Sequence, residues 1–305
     1  MHEQHMPLIR KAWRATRSGF RRYPRALIDS AIGAIPTLHE QAAREHETPF
    51  RQWETLSLAA TWLGHGSVLM RHAGKTILVD PVLSPRIGLS VAGRTMGLPR
   101  LIPLTHGIPE LPPIDVVLIT HAHFDHLDRP TLQALASPKT TLVTARRTQR
   151  LIPRGFGRIV ELDWRQGLRL GDLHISAIRP RHWGARAAVD RRRGYNSYVL
   201  RDRDGRGVLL AGDTAMTDAF DNLRDLSLAA LGIGAYEPWA HAHATPEQAW
   251  EMFNASGATR LLPVHHSTFE LGDEPIAEPM ERLNAAARAA RQRVIEPIVG
   301  AIWAA

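Results

Sequence analysis

From Leu56 onward the hydrophobic residues come in short runs closed by Gly or Pro, a texture that predicts strands rather than long helices. LSLAATWLG, SVLMRHAG and KTILVDP read as three consecutive strands, followed by a long loop reaching Pro113. The continuous apolar run IDVVLIT, residues 114–120, reads as a strand buried on both faces. A polar, His-rich loop ends it. A helix over residues 130–136 follows, with Asp128 as N-cap and Pro130 in the first turn, where a missing N–H costs nothing. The plan then repeats. TTLVTA, GRIVELD, LHISAIRP, YNSYVLRD and GVLLAGD are strand-like, and helices are expected near residues 246–254 and 278–292. Two β-rich stretches, each followed by helices, imply an α/β fold of sheets packed face to face with helices outside. Residues 1–52 show neither period and carry Pro7, Pro24, Pro36 and Pro49. They read as an arm with one or two short helices, leaving residues 53–305 as one domain.

Of the 305 residues, 44% are hydrophobic and 22% charged, which excludes disorder, collagen and coiled coil. The longest uncharged apolar stretch, residues 226–236, falls short of the ~18 residues that a spanning helix needs. Seven arginines and lysines between Arg10 and Arg25 interrupt any signal-peptide core, so a cytoplasmic location is the default. The arm's Trp13, Phe20 and Tyr23 among basic residues suit peripheral contact with a membrane surface, a packed terminal extension being the other reading. There is no cysteine, which removes disulfides, thiolate metal sites and thiol nucleophiles together. The net charge of +8 is uneven, because residues 146–206 hold 16 Lys+Arg against 6 Asp+Glu. That block suits phosphates, nucleic acid or an anionic lipid surface. With 35 of the 38 basic residues being Arg, a solvated face is the alternative.

The chemistry concentrates in His121-Ala122-His123-Phe124-Asp125-His126, directly after the buried strand. Four ligand-type side chains within six residues cannot all point one way on a strand or helix, so a tight loop must gather them, and two metal ions explain the crowding. Imidazole and carboxylate suit Zn²⁺, with Mn²⁺ or Fe tolerated in a mixed N/O site. His182 in RPRHWG, Asp213 in LLAGDT and His265 in LPVHHST each follow an apolar run, and strand ends on one sheet edge form a shared rim.

HxHxDH with a later His, Asp and His at strand ends resembles the metallo-β-lactamase superfamily, whose fold is an αβ/βα four-layer sandwich with a dinuclear site on one edge. The resemblance implies that His121, His123 and His182 hold one ion and Asp125, His126 and His265 the other, with Asp213 bridging. TWLGHGSV, ILVDPVLS, LPPIDVVLITHAHFDHLD, RHW, GDT, GIGAYEP, HATPEQA and PVHHSTF, in that order, resemble the N-acylphosphatidylethanolamine-hydrolysing phospholipase D group. The sequence departs from that group at Ala242 and Thr245, where Gln and Asp are expected, and at Gly194-Tyr195 in place of Leu-Trp. By the same resemblance Asp80 and His65 are carriers of ligand orientation, an ordinary turn residue and a surface-loop histidine being the alternatives.

The expected reaction is hydrolysis by a hydroxide shared between two ions ~3.5–4 Å apart. A phosphodiesterase of the phospholipase D type comes first. Asp125 and His243 are its candidate catalytic residues, His243 binding phosphate or protonating the leaving group, and Arg181, Arg186, Trp183 and Tyr236 are candidates for substrate contact. The partner is then a small-molecule or lipid substrate with a phosphodiester or ester, and a homo-oligomer is left open. A lactonase or carboxylester hydrolase similar to the ascorbate-6-phosphate lactonases is the second reading. A nucleic-acid-binding protein with a structural metal site ranks lowest.

Overall fold

A computed structural model describes residues 24, 26, 28–30, 50–91, 94–186, 190 and 192–305. Trp13, Phe20, Tyr23 and most of the expected arm lie outside these, as does Arg191.

Strands β1 (Leu58–Trp62), β2 (Val68–His72) and β3 (Lys75–Val79) form an antiparallel meander. A hairpin follows, β4 (Arg86–Val91) with β5 (Arg94–Pro99), and then β6 (Val116–Ile119), β7 (Thr141–Ala145) and β8 (Arg158–Leu162) extend the first sheet in parallel with β3. The second sheet holds β9 (Gly167–Leu170), β10 (Leu173–Ile178), β11 (Ser197–Arg201), β12 (Gly207–Leu210), β13 (Leu226–Gly232) and β14 (Arg260–Val264). The last strand, β15 (Ile302–Ala304), returns to the first sheet and pairs with β1. Helices α1 (Arg129–Leu135), α2 (Pro246–Ser256) and α3 (Glu278–Ala287) complete the chain.

Alternation along the strands explains the layering. In β6, Val116 and Leu118 face the second sheet and meet Leu210, Leu228 and Leu262, while Val117 and Ile119 face outward onto Leu132 of α1. In β12, Leu210 faces the first sheet and Leu209 packs outward against Met252 and Phe253 of α2 and Leu283 of α3. Each fully buried apolar side chain contributes about 1.5–3 kcal/mol. Two sheets with helices on both outer faces make the αβ/βα sandwich expected from the sequence. Among the described residues no helix is long and apolar enough to cross a membrane.

Local chemistry sets the helix ends. Thr245 caps α2 by accepting the Gln248 N–H while Gln248 reaches back to the Thr245 N–H, and Gly257 closes the helix at a φ of 76°. Helix α3 stops at Ala287, short of the expected residue 292, because Arg288 takes a φ of 46° and the chain continues as 3-10 turns over Arg288–Arg293.

The expected long loop before Pro113 contains the β4–β5 hairpin. Gly88 and Gly97 face each other across it at φ of 147° and 151°, and a Cβ on either would lie 2.1 Å from the facing carbonyl oxygen. The glycines that permit this backbone also interrupt the alternating pattern that would reveal it. Ser30, which precedes β1 in the chain, accepts the Gly97 N–H at 3.2 Å.

Direction matters most for the site. Strands β3, β6, β7 and β8 run parallel, β10 runs with β12, β13 and β14, and the loops after these strands share one rim.

Candidate metal centre

Most of the chemistry-bearing residues sit just past a strand on that rim, and His243 lies just before helix α2. Asp80 follows β3, residues 121–126 follow β6, His182 follows β10, Asp213 follows β12 and His265 follows β14. His65 lies in the β1–β2 turn. The ligand-type atoms form three overlapping groups, His121–His123–His182–Asp213, His65–Asp125–His126–His265 and Asp213–His243–His265, each within 4.8 Å.

Asp213 joins the groups. Its Oδ1 lies 3.2 Å from His126 Nε2 and 3.1 Å from His265 Nε2. Its Oδ2 lies 3.6 Å from both His121 Nε2 and His182 Nε2, and 3.9 Å from His243 Nδ1. One carboxylate thus faces two imidazole clusters with different oxygens.

Outer hydrogen bonds fix which nitrogens face inward. Thr120 Oγ1 lies 2.9 Å from His121 Nδ1 and donates to Asp80 Oδ2 at 2.6 Å, so it takes the His121 N–H and leaves the Nε2 lone pair facing the cluster. His182 Nδ1 donates to the Ala242 carbonyl at 3.0 Å, which leaves its Nε2 lone pair inward as well. That bond uses the backbone, so the side chain at Ala242 is free to depart from the Gln expected there. Both inward lone pairs meet His123 Nδ1, at 2.8 Å from His121 and 3.3 Å from His182, and one proton cannot satisfy three nitrogens.

His126 presents the same mismatch. Its Nδ1 donates to Asp80 Oδ2 at 2.7 Å, but buried Nε2 has no hydrogen-bond partner of good geometry although two carboxylates stand within 3.5 Å. Converging lone pairs and misaligned carboxylates fit a cation and do not fit a hydrogen-bond network.

Charge points the same way. Burial pushes Asp213 and Asp125 toward the neutral acid, yet His126 and His265 outweigh it and hold both carboxyls well below the usual range. Burial, reinforced by neighbouring histidines, keeps His121 and His182 neutral, the form that binds metal. His265 is pushed up to about 9 and His126 well above its ordinary value, because Asp213 and Asp125 outweigh burial at both. The buried carboxylates therefore draw positive charge to this centre, and protons supply it in the protein alone.

The backbone is strained here. His65, Asp80 and His265 take φ of 51°, 40° and 60°, at about 1–3 kcal/mol each. His265 N–H donates to the His65 carbonyl at 2.9 Å, His65 N–H to Thr268 Oγ1 at 2.6 Å, and Asp80 N–H to the Leu118 carbonyl at 2.8 Å. His65 Nε2 reaches Asp125 Oδ2 at 2.8 Å.

The candidates for substrate contact divide. Trp183 is 39% exposed, stacked on His182 with its edge toward His123, so it stands at the mouth of the centre. Arg181 is exposed beside His182. Arg186 is turned to a different task, because Nη1 donates to the Ala122 and Leu127 carbonyls at 3.1 and 2.8 Å and the guanidinium stacks on Phe124. It clasps the ligand loop. Tyr236 is 1% exposed and its hydroxyl donates to Glu278 at 2.8 Å, which removes it from substrate contact and corrects the expectation. His243 is brought to the centre, but burial outweighs Asp213 and pushes it down to about 4, against the charged form that a proton donor needs. Thr120 and the Ala242 carbonyl had no signal of their own, beyond Thr120 standing at a strand end immediately before the His-rich loop.

The sequence profile described as "Beta-lactamase superfamily domain" matches residues 75–266, which include every residue of this centre except His65. The chain belongs to the metallo-β-lactamase superfamily of metal-dependent hydrolases. It is 34% identical over 264 residues to an uncharacterised protein of Mycobacterium tuberculosis, covering 80% of this chain and 68% of that one. It is 29% identical over 239 residues to the N-acyl-phosphatidylethanolamine-hydrolyzing phospholipase D, mitochondrial, of Saccharomyces cerevisiae, covering 73% of this chain and 50% of the yeast one. Among solved structures, the isothiocyanate hydrolase from Delia radicum gut bacteria superposes with a TM-score of 0.64 at 19% identity, covering 81% of this chain and 98% of that one.

Proposed function

We propose that this metallo-β-lactamase-superfamily chain is a dinuclear phosphodiesterase of the N-acylphosphatidylethanolamine phospholipase D type, with residues 53–305 as its catalytic domain. The observation that carries the dinuclear reading is Asp213, whose Oδ2 faces His121 and His182 while Oδ1 faces His126 and His265. His121, His123, His182 and Asp213 would hold one ion, and Asp125, His126, His265 and Asp213 the second. Neutral imidazoles and carboxylates without thiolate favour zinc. Two such ions supply Lewis acidity and a water that ionises near neutral pH.

The chain's own groups do the rest. Asp80, through Nδ1 of His126, and Thr120, through Nδ1 of His121, hold the outer nitrogen of both rings and aim Nε2 inward, where an ion would take the place of the proton that His126 carries in the protein alone. His65 fixes the rotamer of Asp125 through Oδ2. His243, neutral and 3.9 Å from Asp213, offers a ring N–H to the departing oxygen. Exposed Arg181 neutralises the substrate phosphate beside His182, and Trp183 covers the apolar part next to it. The names of the yeast and Caenorhabditis elegans relatives support a lipid phosphodiester as substrate.

Zinc-loaded protein is expected to hydrolyse bis(p-nitrophenyl) phosphate or N-acylphosphatidylethanolamine, and His121→Ala to lose that turnover. Absence of turnover above the His121→Ala control on both substrates overturns the proposal.

A further inference from the structure

The arginine surplus of the middle segment is gathered at one corner of the rim. Just past β7 come Arg146 and Arg147, just past β8 come Trp164 and Arg165, and just past β10 comes Arg179. Adjacent strands lie ~4.8 Å apart, so the ends of β7 and β8 are one and two strand spacings from the β6 end that carries His121. The loop entering β11 lies over the same corner. Gly194 N–H donates to the Arg146 carbonyl at 2.8 Å, and Asn196 N–H donates to the Thr120 carbonyl at 2.9 Å.

The acids of this corner are already engaged. Asp163 pairs with Arg146 at 3.1 Å and Asp190 with Arg193 at 2.6 Å, while Glu161 accepts the Gln149 N–H at 2.7 Å. Arg147, Arg165 and Arg179 are exposed, and among the described residues none has a carboxylate partner.

Two further features separate this corner from an ordinary solvated face. Arg147 and Arg165 hold left-handed φ of 64° and 66°, a backbone that glycine adopts without strain, so guanidinium groups stand where the local backbone favours their removal. Arg179 is fixed in advance, its guanidinium 4.3 Å above the Trp164 ring, and Trp164 is anchored by its Nε1 donating to the Tyr195 carbonyl at 2.7 Å. Cations without carboxylate partners at one corner of the rim raise the local positive potential, and a bound anion lowers it.

We propose that Arg147, Arg165 and Arg179 form a phosphate-binding face beside the metal centre that holds a second phosphate group on the substrate, apart from the diester that is cleaved. This rests on the phosphodiesterase reading and names its substrate class as phosphodiesters with an additional phosphomonoester. The face acts on binding, so its signature is KM rather than kcat.

A matched pair tests it, p-nitrophenyl thymidine 5′-phosphate with and without a 3′-phosphate. Zinc-loaded wild-type protein is expected to show a KM about tenfold lower for the 3′-phosphorylated member, one well-placed charge-assisted contact. Arg179→Gln and the double variant Arg147→Gly, Arg165→Gly abolish that advantage. Glycine suits both backbones, so a melting temperature at or above the wild type shows that the fold is retained. Free inorganic phosphate is expected to raise the KM of the 3′-phosphorylated member selectively, and its calorimetric affinity falls about tenfold in the double variant. Equal KM for the two members in the wild type, or a phosphate affinity that the double variant leaves unchanged, overturns the proposal. If neither diester is cleaved, the phosphodiesterase reading fails, while the calorimetric loss still supports the face.

Discussion

Asp80 Oδ2 accepts the Nδ1 proton of His126 at 2.7 Å, and the same carboxylate takes the Thr120 N–H at 2.7 Å and its hydroxyl at 2.6 Å. One side chain therefore sets the tautomer of His126 directly and, through Thr120, supports that of His121. The two rings belong to different groups of candidate ligand atoms.

Asp80→Asn keeps the shape but weakens the acceptor. Zinc affinity is expected to fall 10–100-fold, most steeply at the His126 group. Competition against a chromophoric chelator measures it, and unchanged affinity at both positions rejects the coupling.

Asp213→Asn removes the anion that both groups share. On the dinuclear reading, metal content is expected to drop from two ions per chain to one or fewer, and kcat to fall by three or more powers of ten. Emission spectrometry of dialysed protein decides the first point, since two retained ions would show that Asp213 does not bridge.

Arg186→Lys loses the two-carbonyl clasp on residues 122 and 127 and the stacking on Phe124. Each charged hydrogen bond left unmade costs about 1.5–3 kcal/mol, so the melting temperature falls by several degrees. Zinc dissociates faster because the ligand loop is released. A variant with wild-type melting and zinc retention contradicts the clasp.

His72, on β2, points into the core between the sheets, facing Asp202 and Arg206 at the end remote from the metal centre. Burial pushes it below its ordinary value of 6.5, with Asp202 opposing. The native state resists the charged ring, so this contribution to stability is complete above about pH 6.5 and shrinks as pH falls toward the lowered native value. Urea unfolding at pH 7.5 and pH 5 is expected to show a smaller difference for His72→Leu than for wild type. An equal or larger difference would falsify the assignment.

Chelation uncovers the buried carboxylates and converging lone pairs together. Ligand present at a thousand times its dissociation constant stabilises a protein by about 4 kcal/mol, so EDTA is expected to lower the melting temperature markedly and zinc to restore it. Differential scanning calorimetry checks both limbs.

Much of this was legible along the chain. Apolar runs marked most of the strands, and four ligand-type residues in six marked the loop after β6. His182, Asp213 and His265 each announced themselves by following such a run, whereas Asp80 was legible only through the family resemblance. The β4–β5 hairpin was hidden by Gly88 and Gly97, and β15 by being three residues long. These signals are short-ranged, because the period of a strand and the crowding of a loop are properties of neighbouring residues.

What the sequence alone determined was the set of strands and the supply of imidazole and carboxylate at their ends. Only the tertiary structure decided which atoms meet. Packing two sheets with their strand ends on one rim brings Asp213 between two histidine clusters, turns Arg186 onto the His-rich loop and Tyr236 onto Glu278, and gathers at one corner Arg147, Arg165 and Arg179, which have no carboxylate partner among the described residues. Those outcomes depend on contacts such as Tyr236–Glu278, Arg186–Ala122 and His121–Asp213, between residues 42 to 92 positions apart, where no local periodicity reaches.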